Sequence, residues 1–244
     1  MSGHTLFISD LHLQENEPQI TANFEHFILH EAMHADALYI LGDFFEAWIG
    51  DDDRTAFHTK ISEILRGLAA KNVPIYFMHG NRDFLLGKRF ATQCRMSILP
   101  DPSLIDLYGH RVLLSHGDML CTLDIRHQKY RRVALNPRWQ NLFLKVPLWI
   151  RRKIPKYMRK QSQRYTQSIA DYIIDVTEEA VEKLMTEFQV PRLIHGHTHR
   201  PKVHNLTINN STAERIVLGA WHEKISYLRF FADGNYEMKV TELS

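Results

Sequence analysis

The stretch Tyr39-Ile40-Leu41-Gly42-Asp43 constrains the fold of this chain more than any other part of the sequence. Its apolar residues predict a buried strand, and Gly42 predicts a tight turn at the end of that strand. The turn places Asp43 at the carboxyl end of the strand, where ligand sites of open α/β sheets lie. Because a carboxylate has two oxygens, Asp43 could bridge two cations.

Four further apolar stretches predict short strands that also end in polar side chains. Taken singly, such a side chain is more often a helix cap, a turn former or a satisfied polar group. Seven potential ligands after five strands are better explained by one shared site. Besides Asp43, the candidates are Asp10, His12, Asn81, His116, His197 and His199.

The types of these side chains indicate the kind of metal that they would bind. Carboxylate, imidazole and amide groups are typical ligands of divalent ions such as Mn²⁺. A structural zinc site would instead use thiolate ligands. Two such ions about 3.5–4 Å apart can hold both oxygens of an in-line phosphoryl displacement. The sequence therefore predicts a dinuclear metal site that acts on a phosphate ester or anhydride.

The order of the predicted elements indicates the fold class. Strands alternate with amphipathic helices in the first half of the chain, and strand follows strand near the C-terminus. This order predicts a layered α/β sandwich with one mixed sheet or two. The last strands, Ile216–Leu218, Ile225–Phe231 and Tyr236–Val240, are expected to be antiparallel, with Asp233-Gly234 as a turn.

Residues 122–190 interrupt this alternation and are predicted to form a helical cap over the strand ends. Pro137, Pro147 and Pro155 divide the segment into short helices. Residues 1–121 and 191–244 would then form the core. Residues 125–170 contain 13 Lys or Arg and no Asp or Glu, which leaves 17 basic and 28 acidic residues elsewhere. Such a basic block often meets an anionic surface, such as phosphates or lipid headgroups.

Length and composition limit the remaining possibilities. The 244 residues suit one large domain with an insertion, and two cysteines suggest a reducing compartment. We expect no signal peptide, and no run of 18 apolar residues predicts a membrane span. The acidic run Asp51-Asp52-Asp53 is interpreted as a solvated turn and helix N-terminus rather than a metal site.

The candidate ligands occur in motifs that resemble those of the calcineurin-like metallophosphoesterases. The motifs are Asp10-x-His12, Gly42-Asp43, Gly80-Asn81, His116 and Gly196-His197-x-His199. The resemblance implies two mixed β-sheets flanked by helices, with a helical cap insertion. It assigns Asp10, His12, Asp43 and His199 to one ion, and Asp43, Asn81, His116 and His197 to the other. Under this mapping His195 is a structural residue at a strand end.

One departure from the family pattern narrows the resemblance to a single branch of the family. Arg82 stands where a histidine usually follows Gly-Asn as the general acid, which favours a leaving group that needs no proton. Residues 41–52, 79–87 and 193–201 resemble the UDP-2,3-diacylglucosamine diphosphatases of the lipid A pathway. That branch hydrolyses a lipid-linked nucleotide, UDP-2,3-diacylglucosamine, by water attack on the α-phosphorus, giving UMP and 2,3-diacylglucosamine 1-phosphate.

The resemblance further implies two Mn²⁺ per subunit and a cytoplasmic location at the anionic face of the inner membrane. We expect a monomer, although no sequence motif specifies the oligomeric state. It gives catalytic roles to Asp43, Asn81 and Arg82. It also places six residues near the substrate: Asn81, Arg82, Asp124, Ser162, Thr166 and His197. A lysine that is usual in the cap is Ile169 here, and Arg164 or a neighbour could supply the lost charge.

The cap sequence has two interpretations that can hold on different faces. Apolar residues in Leu142–Leu144, at Val146 and in Leu148–Ile150 lie among basic residues. They could form a helical hairpin docked on the core with a solvated basic face. They could also form an acyl-chain chamber and an interfacial helix, where each buried CH₂ contributes about 0.8 kcal/mol.

Two other functions compete with this interpretation. A nuclease or general phosphodiesterase of the same fold would use the basic cap to bind a phosphate backbone. The cap has long apolar clusters rather than spaced aromatic platforms, so no nucleic acid is expected. A non-catalytic scaffold of this fold should lack several ligands, and this sequence has all seven.

Overall fold

The computed structural model describes residues 3–166, 170, 172–222 and 224–242, without the side chains of residues 162, 163, 166 and 242. Six described strands form the first sheet, in which four neighbouring strands are parallel and the C-terminal hairpin is antiparallel. From one edge to the other they are Tyr236–Glu242 (β11), Lys224–Phe231 (β10), His4–Ile8 (β1), Ala37–Leu41 (β2), Ile75–Met78 (β3) and Met96–Leu99 (β4).

The second sheet has five described strands, and its three central strands are parallel. Antiparallel strands pair with them at both edges. In spatial order the strands are Ser103–Leu107 (β5), His110–Ser115 (β6), Arg192–His195 (β7), Ser211–Val217 (β9) and Lys202–Ile208 (β8). The predicted α/β sandwich of two mixed sheets is therefore confirmed.

Helices lie on the outer faces of the sheets and in the predicted cap. The helices of the first half are Pro18–His30 (α1), Ala56–Ala69 (α2) and Lys88–Cys94 (α3). The later helices are Ile125–Ala134 (α4), Pro137–Leu144 (α5), Leu148–Arg151 (α6), Ile154–Thr166 (α7) and Glu178–Phe188 (α8). Among the described residues, no helix combines the length and the apolar character that crossing a membrane requires.

Alternating side chains of the central strands fill two separate core layers. In β1, Leu6 and Ile8 pack in the layer that contains residues of α1, α2 and α3, whereas Phe7 packs in the layer between the sheets. In β2, Tyr39 also points between the sheets, with its ring centroid 5.0 Å from that of Phe7. Both faces are apolar because each parallel strand is covered on both sides. This burial fixes the strands whose ends carry the candidate ligands.

The sequence pattern of the C-terminal strands does not predict which sheet each strand joins. The predicted strand at Ile216 belongs to β9, which pairs in parallel with β7 in the second sheet and not with the hairpin of β10 and β11. Each of the three strands has an antiparallel partner, as predicted, and Asp233-Gly234 lies in the turn between β10 and β11, but the antiparallel partner of β9 is β8 of the second sheet. Hydrophobic periodicity identifies a strand, but it does not identify the partner of that strand.

The last helix of the predicted cap packs with the core. Val181, Leu184 and Met185 of α8 are buried with Leu113 and Leu193 of the second sheet. The helix therefore covers the outer face of that sheet, as α1 and α2 cover the first. We propose that the cap ends before α8, near residue 175, rather than at residue 190.

The acidic run after β2 fastens the cap and α3 to the core instead of lying free in solvent. Asp51 accepts hydrogen bonds from the backbone N–H groups of Gly87 and Phe90 at 2.8 and 3.1 Å. Asp52 pairs with Arg151, and Asp53 lies 2.7 Å from Arg152. The predicted turn is confirmed at Asp51 and Asp52, but α2 begins only at Ala56, and the three carboxylates contact the core and the cap.

Replacing Arg151 by alanine should lower the free energy of unfolding by about 2–3 kcal/mol. The Arg151 side chain is 2% exposed and donates hydrogen bonds to the backbone carbonyls of Ile49 and Val146. The alanine variant would leave both carbonyls without this donor. Urea unfolding would measure the change.

Arg152→Ala is the matched control, because its side chain is 53% exposed. An exposed ion pair contributes less than about 1 kcal/mol, so this variant should be close to wild type. Equal losses for the two variants would contradict the anchoring role of Arg151.

Candidate metal centre

The candidate ligands converge at the carboxyl ends of strands from both sheets. Asp10 and His12 follow β1, Asp43 follows β2 and Asn81 follows β3 in the first sheet. His116 follows β6, and His197 and His199 follow β7, in the second sheet. Each pair of neighbouring strands within these two sets is parallel, so their ends lie at one edge. The centre therefore bridges the two sheets.

The two carboxylate oxygens of Asp43 face different groups of side chains. Its Oδ2 lies 3.9 Å from Nε2 of His12, and its Oδ1 lies 3.7 Å from Nε2 of His116. On the first side, Nε2 of His199 lies 3.3 Å from Nε2 of His12 and 3.4 Å from Oδ1 of Asp10. Asp43 thus stands between two clusters of candidate ligands.

The second cluster forms around His116. Nε2 of His116 lies 3.1 Å from Oδ1 of Asn81, and its ring centroid lies 5.1 Å from that of His197. Nδ1 of His116 lies 2.9 Å from the carbonyl oxygen of Leu41. A backbone carbonyl at Nδ1 favours the proton on that nitrogen, which leaves Nε2 free to ligate. The structure thus brings all seven predicted ligands together.

The ligand loops adopt a backbone conformation that L-amino acids rarely use. Five of the seven candidate ligands have a left-handed backbone, with φ between 49° and 71°: Asp10, His12, Asp43, His197 and His199. Such non-glycine conformations cost about 1–3 kcal/mol each and concentrate at functional sites. Here they turn successive side chains from the strand ends toward one another.

A model of the calcineurin-like phosphoesterase family matches residues 3–201, which include both ligand clusters. The chain belongs to the calcineurin-like phosphoesterase family. The family predicted from the five motifs is therefore confirmed. The solved structure of vacuolar protein sorting 29 from Cryptosporidium parvum has the same fold, with a TM-score of 0.51 at 12% identity. It covers 100% of this chain and 98% of that chain.

Curated relatives match nearly the full length of this calcineurin-like phosphoesterase. The UDP-2,3-diacylglucosamine hydrolase of Coxiella burnetii (strain RSA 331 / Henzerling II) is 55% identical over 240 residues, 98% of each chain. The protein of the same name from Serratia proteamaculans (strain 568) is 53% identical over 230 residues, 94% of this chain and 96% of its own. The resemblance to this branch of the family is confirmed.

The chemistry of the two clusters fits the divalent ions that this family implies. Ligand atoms of Asp10, His12 and Asp43 lie within 4.8 Å of one another, as do those of Asp43, His116 and His197. Oδ1 of Asp10 is buried, and although Nε2 of His199 lies 3.4 Å away, no described residue forms a well-aligned hydrogen bond with it. Burying an unsatisfied carboxylate oxygen is costly unless a cation binds it. A metal ion would remove that cost.

The electrostatics of this calcineurin-like phosphoesterase site also favour positive charge. Burial alone would lower the pKa of His116, yet the carboxylates of Asp43, Asp10 and Asp118 raise it to about 9. Burial likewise opposes the charged form of Asp10, and the contact with His199 nevertheless lowers the pKa of its carboxyl. The carboxylates thus stabilise a positive charge at the place where cations would bind.

The structure places the predicted substrate-binding residues in different environments. The backbone N–H of Arg82 donates to Oδ1 of Asp43 at 2.8 Å, and its side chain is 29% exposed beside the centre. Asp124 is buried, and its Oδ1 accepts from the N–H of His127 and the hydroxyl of Tyr165. Asp124 therefore caps α4, and its contact with substrate stays a prediction.

Three predicted positions of the cap lie outside the described residues in whole or in part. The side chains of Ser162 and Thr166 are not described, and neither is Ile169. His195, by contrast, is buried, with its ring nitrogens 2.9 Å from the carbonyl oxygen of Gly196 and 3.3 Å from Arg215. This placement suits the structural role that was predicted for it.

Sequence reasoning missed three residues that support the site. Asp83 accepts the N–H groups of Phe44 and Gly80, so it ties the Asp43 loop to the Asn81 loop. His222 stacks 5.3 Å from the ring of His12, and Glu46 contacts the same ring. Asp83 and Glu46 each lie within three residues of a motif, but neither follows a strand directly. His222 comes from a separate loop, and no sequence pattern predicts its position beside His12.

Proposed function

We propose that this chain hydrolyses the pyrophosphate bond of UDP-2,3-diacylglucosamine, giving UMP and 2,3-diacylglucosamine 1-phosphate. The observation that carries the proposal is the 55% identity to a UDP-2,3-diacylglucosamine hydrolase over 98% of both chains. Two ligand clusters that share Asp43 support a hydrolytic reaction at phosphorus. The chain would then be a hydrolase of lipid A biosynthesis.

The proposed cofactor is a pair of Mn²⁺ ions, one in each cluster. Asp10, His12 and His199 would hold one ion, and Asn81, His116 and His197 the other, with Asp43 between them. When bound, two such ions neutralise charge on the phosphate and make water a better nucleophile at neutral pH. The mixture of carboxylate, imidazole and amide ligands favours Mn²⁺ over ions that prefer thiolates.

Arg82 has the position and charge to assist departure of the leaving group. Its backbone N–H fixes it against Asp43, and its guanidinium lies beside the cluster. An arginine does not give up its proton, so it stabilises anionic oxygens by charge and hydrogen bonds. A sugar phosphate leaves as an anion without protonation, which suits Arg82 at this position. Water would therefore attack the α-phosphorus.

We propose that the core and the cap both contribute the remaining contacts with the substrate. Asn81, Arg82 and His197 would bind the phosphates from the core, where Asn81 and Arg82 act catalytically with Asp43. Asp124, Ser162 and Thr166 would bind the nucleotide or sugar from the cap. His127 of α4 places its ring 5.3 Å from that of His197, so the cap reaches the metal centre.

The cap has a face that suits the lipid part of the substrate. Trp139 and Phe143 of α5 stack at 5.0 Å, and Phe143 packs against the core. Leu142, Trp149 and Tyr157 are instead 64–67% exposed. These contacts support the proposal that the cap docks on the core by one face and presents the other as an interfacial surface.

Basic residues accompany the exposed apolar side chains of the cap. Nζ of Lys153 lies 5.4 Å from the ring centroid of Trp149. Apolar insertion together with Lys and Arg near anionic headgroups gives stable peripheral binding, at about 1 kcal/mol per basic residue. We propose that a monomer binds the cytoplasmic face of the inner membrane in this way.

Product analysis in ¹⁸O-labelled water tests the proposed reaction. With Mn²⁺ and UDP-2,3-diacylglucosamine, we expect labelled UMP and unlabelled sugar phosphate. Label in the lipid product would show attack on the other phosphorus. Single-stranded DNA is the comparison substrate, and faster cleavage of DNA would make the chain a nuclease instead.

Arg82→Ala should lower kcat by about 100-fold or more while the manganese content stays at the wild-type level. The reason is that the guanidinium stabilises charge on the reacting phosphate but does not ligate metal. Steady-state kinetics with metal analysis would measure both quantities. Arg54→Ala, on the loop before α2, is a control that should retain wild-type kcat. An unchanged kcat in Arg82→Ala would remove its proposed role.

A further inference from the structure

We propose that Glu46 is a positioning residue that links the metal ligand His12 to the cap helix α7 through Arg159. One carboxylate would thereby couple metal binding to placement of the cap over the site. The inference rests on the metal centre proposed above and adds to it a connection between core and cap.

Glu46 uses its two oxygens for different partners. Its side chain is only 14% exposed, and its Oε2 lies 3.1 Å from Nδ1 of His12. Its Oε1 lies 3.3 Å from Nε of Arg159 and 3.7 Å from Nη1 of Arg82. The same side chain therefore contacts a candidate ligand, a proposed catalytic arginine and the cap.

The backbone holds Glu46 in register with His12. The N–H of Leu13 donates to the carbonyl of Phe44 at 2.9 Å, and the N–H of Glu46 donates to the carbonyl of Leu13 at 3.1 Å. These bonds join the loop after β1 to the loop after β2. The position of Glu46 beside the imidazole is thus fixed by the main chain.

Glu46 determines how His12 is presented to the metal. Nδ1 of His12 is buried without an aligned hydrogen bond among the described residues, and the Glu46 carboxylate 3.1 Å away would favour a proton on that nitrogen and orient the ring. Nε2 then carries the lone pair, and it lies 3.9 Å from Oδ2 of Asp43 and 3.3 Å from Nε2 of His199. Outer partners of this kind typically contribute 10- to 100-fold to metal affinity.

The second partner, Arg159, connects the cap to the same ligand loops. It also donates from Nη1 to Oε1 of Gln14 at 3.2 Å, and Gln14 lies two residues after His12. Arg82 and Arg159 both approach Oε1 of Glu46, so one carboxylate faces two guanidinium groups. The excess positive charge would face the anionic phosphates of a substrate.

This contact is separate from the ion pairs that anchor the preceding helix, α6, to the core. Arg151 and Arg152 pair with Asp52 and Asp53, which are not among the candidate ligands. Loss of Glu46 should therefore disturb metal binding and substrate affinity without releasing the whole cap.

The test compares Glu46→Ala, Glu46→Gln and Arg159→Ala in Mn²⁺ titrations of the chelator-treated protein, followed by electron paramagnetic resonance. Glu46→Ala should weaken one Mn²⁺ site by about 10- to 100-fold. Glu46→Gln should stay within about 3-fold of wild type, because its amide oxygen still accepts at Nδ1. Arg159→Ala and the exposed control Glu63→Gln should bind Mn²⁺ as wild type does.

Steady-state kinetics tests the link to the cap. Glu46→Gln and Arg159→Ala should raise KM by similar factors, because both lose the same ion pair. Adding Arg159→Ala to Glu46→Gln should then change KM little further. Additive changes in KM, or wild-type Mn²⁺ affinity in Glu46→Ala, would overturn the proposal.

Two features keep the test decisive. The metal titration uses Mn²⁺ alone, so its outcome does not depend on the identity of the substrate. If UDP-2,3-diacylglucosamine is not cleaved, the proposed reaction fails while the role of Glu46 at His12 can still be measured. If Glu46→Ala does not fold, an unchanged KM in Glu46→Gln would overturn the link to Arg159.

Discussion

Replacing Asp43 by asparagine should abolish binding of at least one metal ion and lower activity by about 1,000-fold or more, equivalent to about 4 kcal/mol. Its Oδ2 faces His12 and its Oδ1 faces His116, so each oxygen serves one cluster. An asparagine has one oxygen and no charge, and it therefore cannot bridge two cations. Elemental analysis and electron paramagnetic resonance of manganese would count the ions and detect their coupling.

Asp53→Asn is the matched control for this variant. Asp53 comes from the same loop region but pairs with Arg152, whose side chain is 53% exposed. We expect two manganese ions and wild-type activity in this control. Two coupled ions and full activity in Asp43→Asn would show that the bridge is not needed.

Replacing Gly80 by alanine should have the second largest effect, although Gly80 carries no chemical group. A Cβ at this position would lie 2.2 Å from Oδ1 of Asp43 and 2.3 Å from its backbone nitrogen. Rotation of the Asp43 side chain cannot relieve the second contact, so the loop itself must move. A displacement of about 1 Å at a catalytic centre costs about 100-fold in rate.

Gly67→Ala separates this effect from the general effect of adding a methyl group. Gly67 lies in α2, and a Cβ there would meet no atom within 4 Å. Alanine is up to about 1 kcal/mol more favourable than glycine inside a helix, so this variant should be slightly stabilised. Kinetics, manganese content and urea unfolding should be measured for both. Wild-type manganese affinity in Gly80→Ala would contradict the close packing of the two loops.

Under the proposed function, Arg82 in place of the usual histidine suits a leaving group that needs no proton. A histidine after Gly-Asn can donate a proton, whereas a guanidinium supplies charge and hydrogen bonds. Arg82 is held by its backbone against Asp43 and lies near Glu46. The local sequence Asn81-Arg82-Asp83 thus provides three functions in consecutive residues. Asn81 is a candidate ligand, Arg82 is a cation, and the buried Asp83 links the loop to Phe44 by a hydrogen bond.

The candidate ligands could be found from sequence because of where they stand along the chain. Asp10, Asp43 and His116 each follow an apolar strand closely, and parallel strands present such positions at one edge. The supporting residues do not obey that rule. Glu46 and His222 reach His12 from loops, and only the folded chain brings them there.

The partners of the strands could not be read from periodicity either. The alternation of Leu6, Phe7 and Ile8 indicates a strand that is covered on both sides. Ile216 shows the same character, yet its strand joins the second sheet rather than the neighbouring hairpin. The pairing depends on packing with residues that are distant in sequence.

The sequence by itself determined the fold class, the family and the set of seven candidate ligands, because short-range patterns specify strands, turns and side-chain chemistry. The tertiary structure alone decided which oxygen of Asp43 faces which histidine, how α8 joins the core and how Glu46 meets Arg159. These features arise from contacts between segments that are far apart along the chain. Their geometry depends on how the two sheets and the cap pack together.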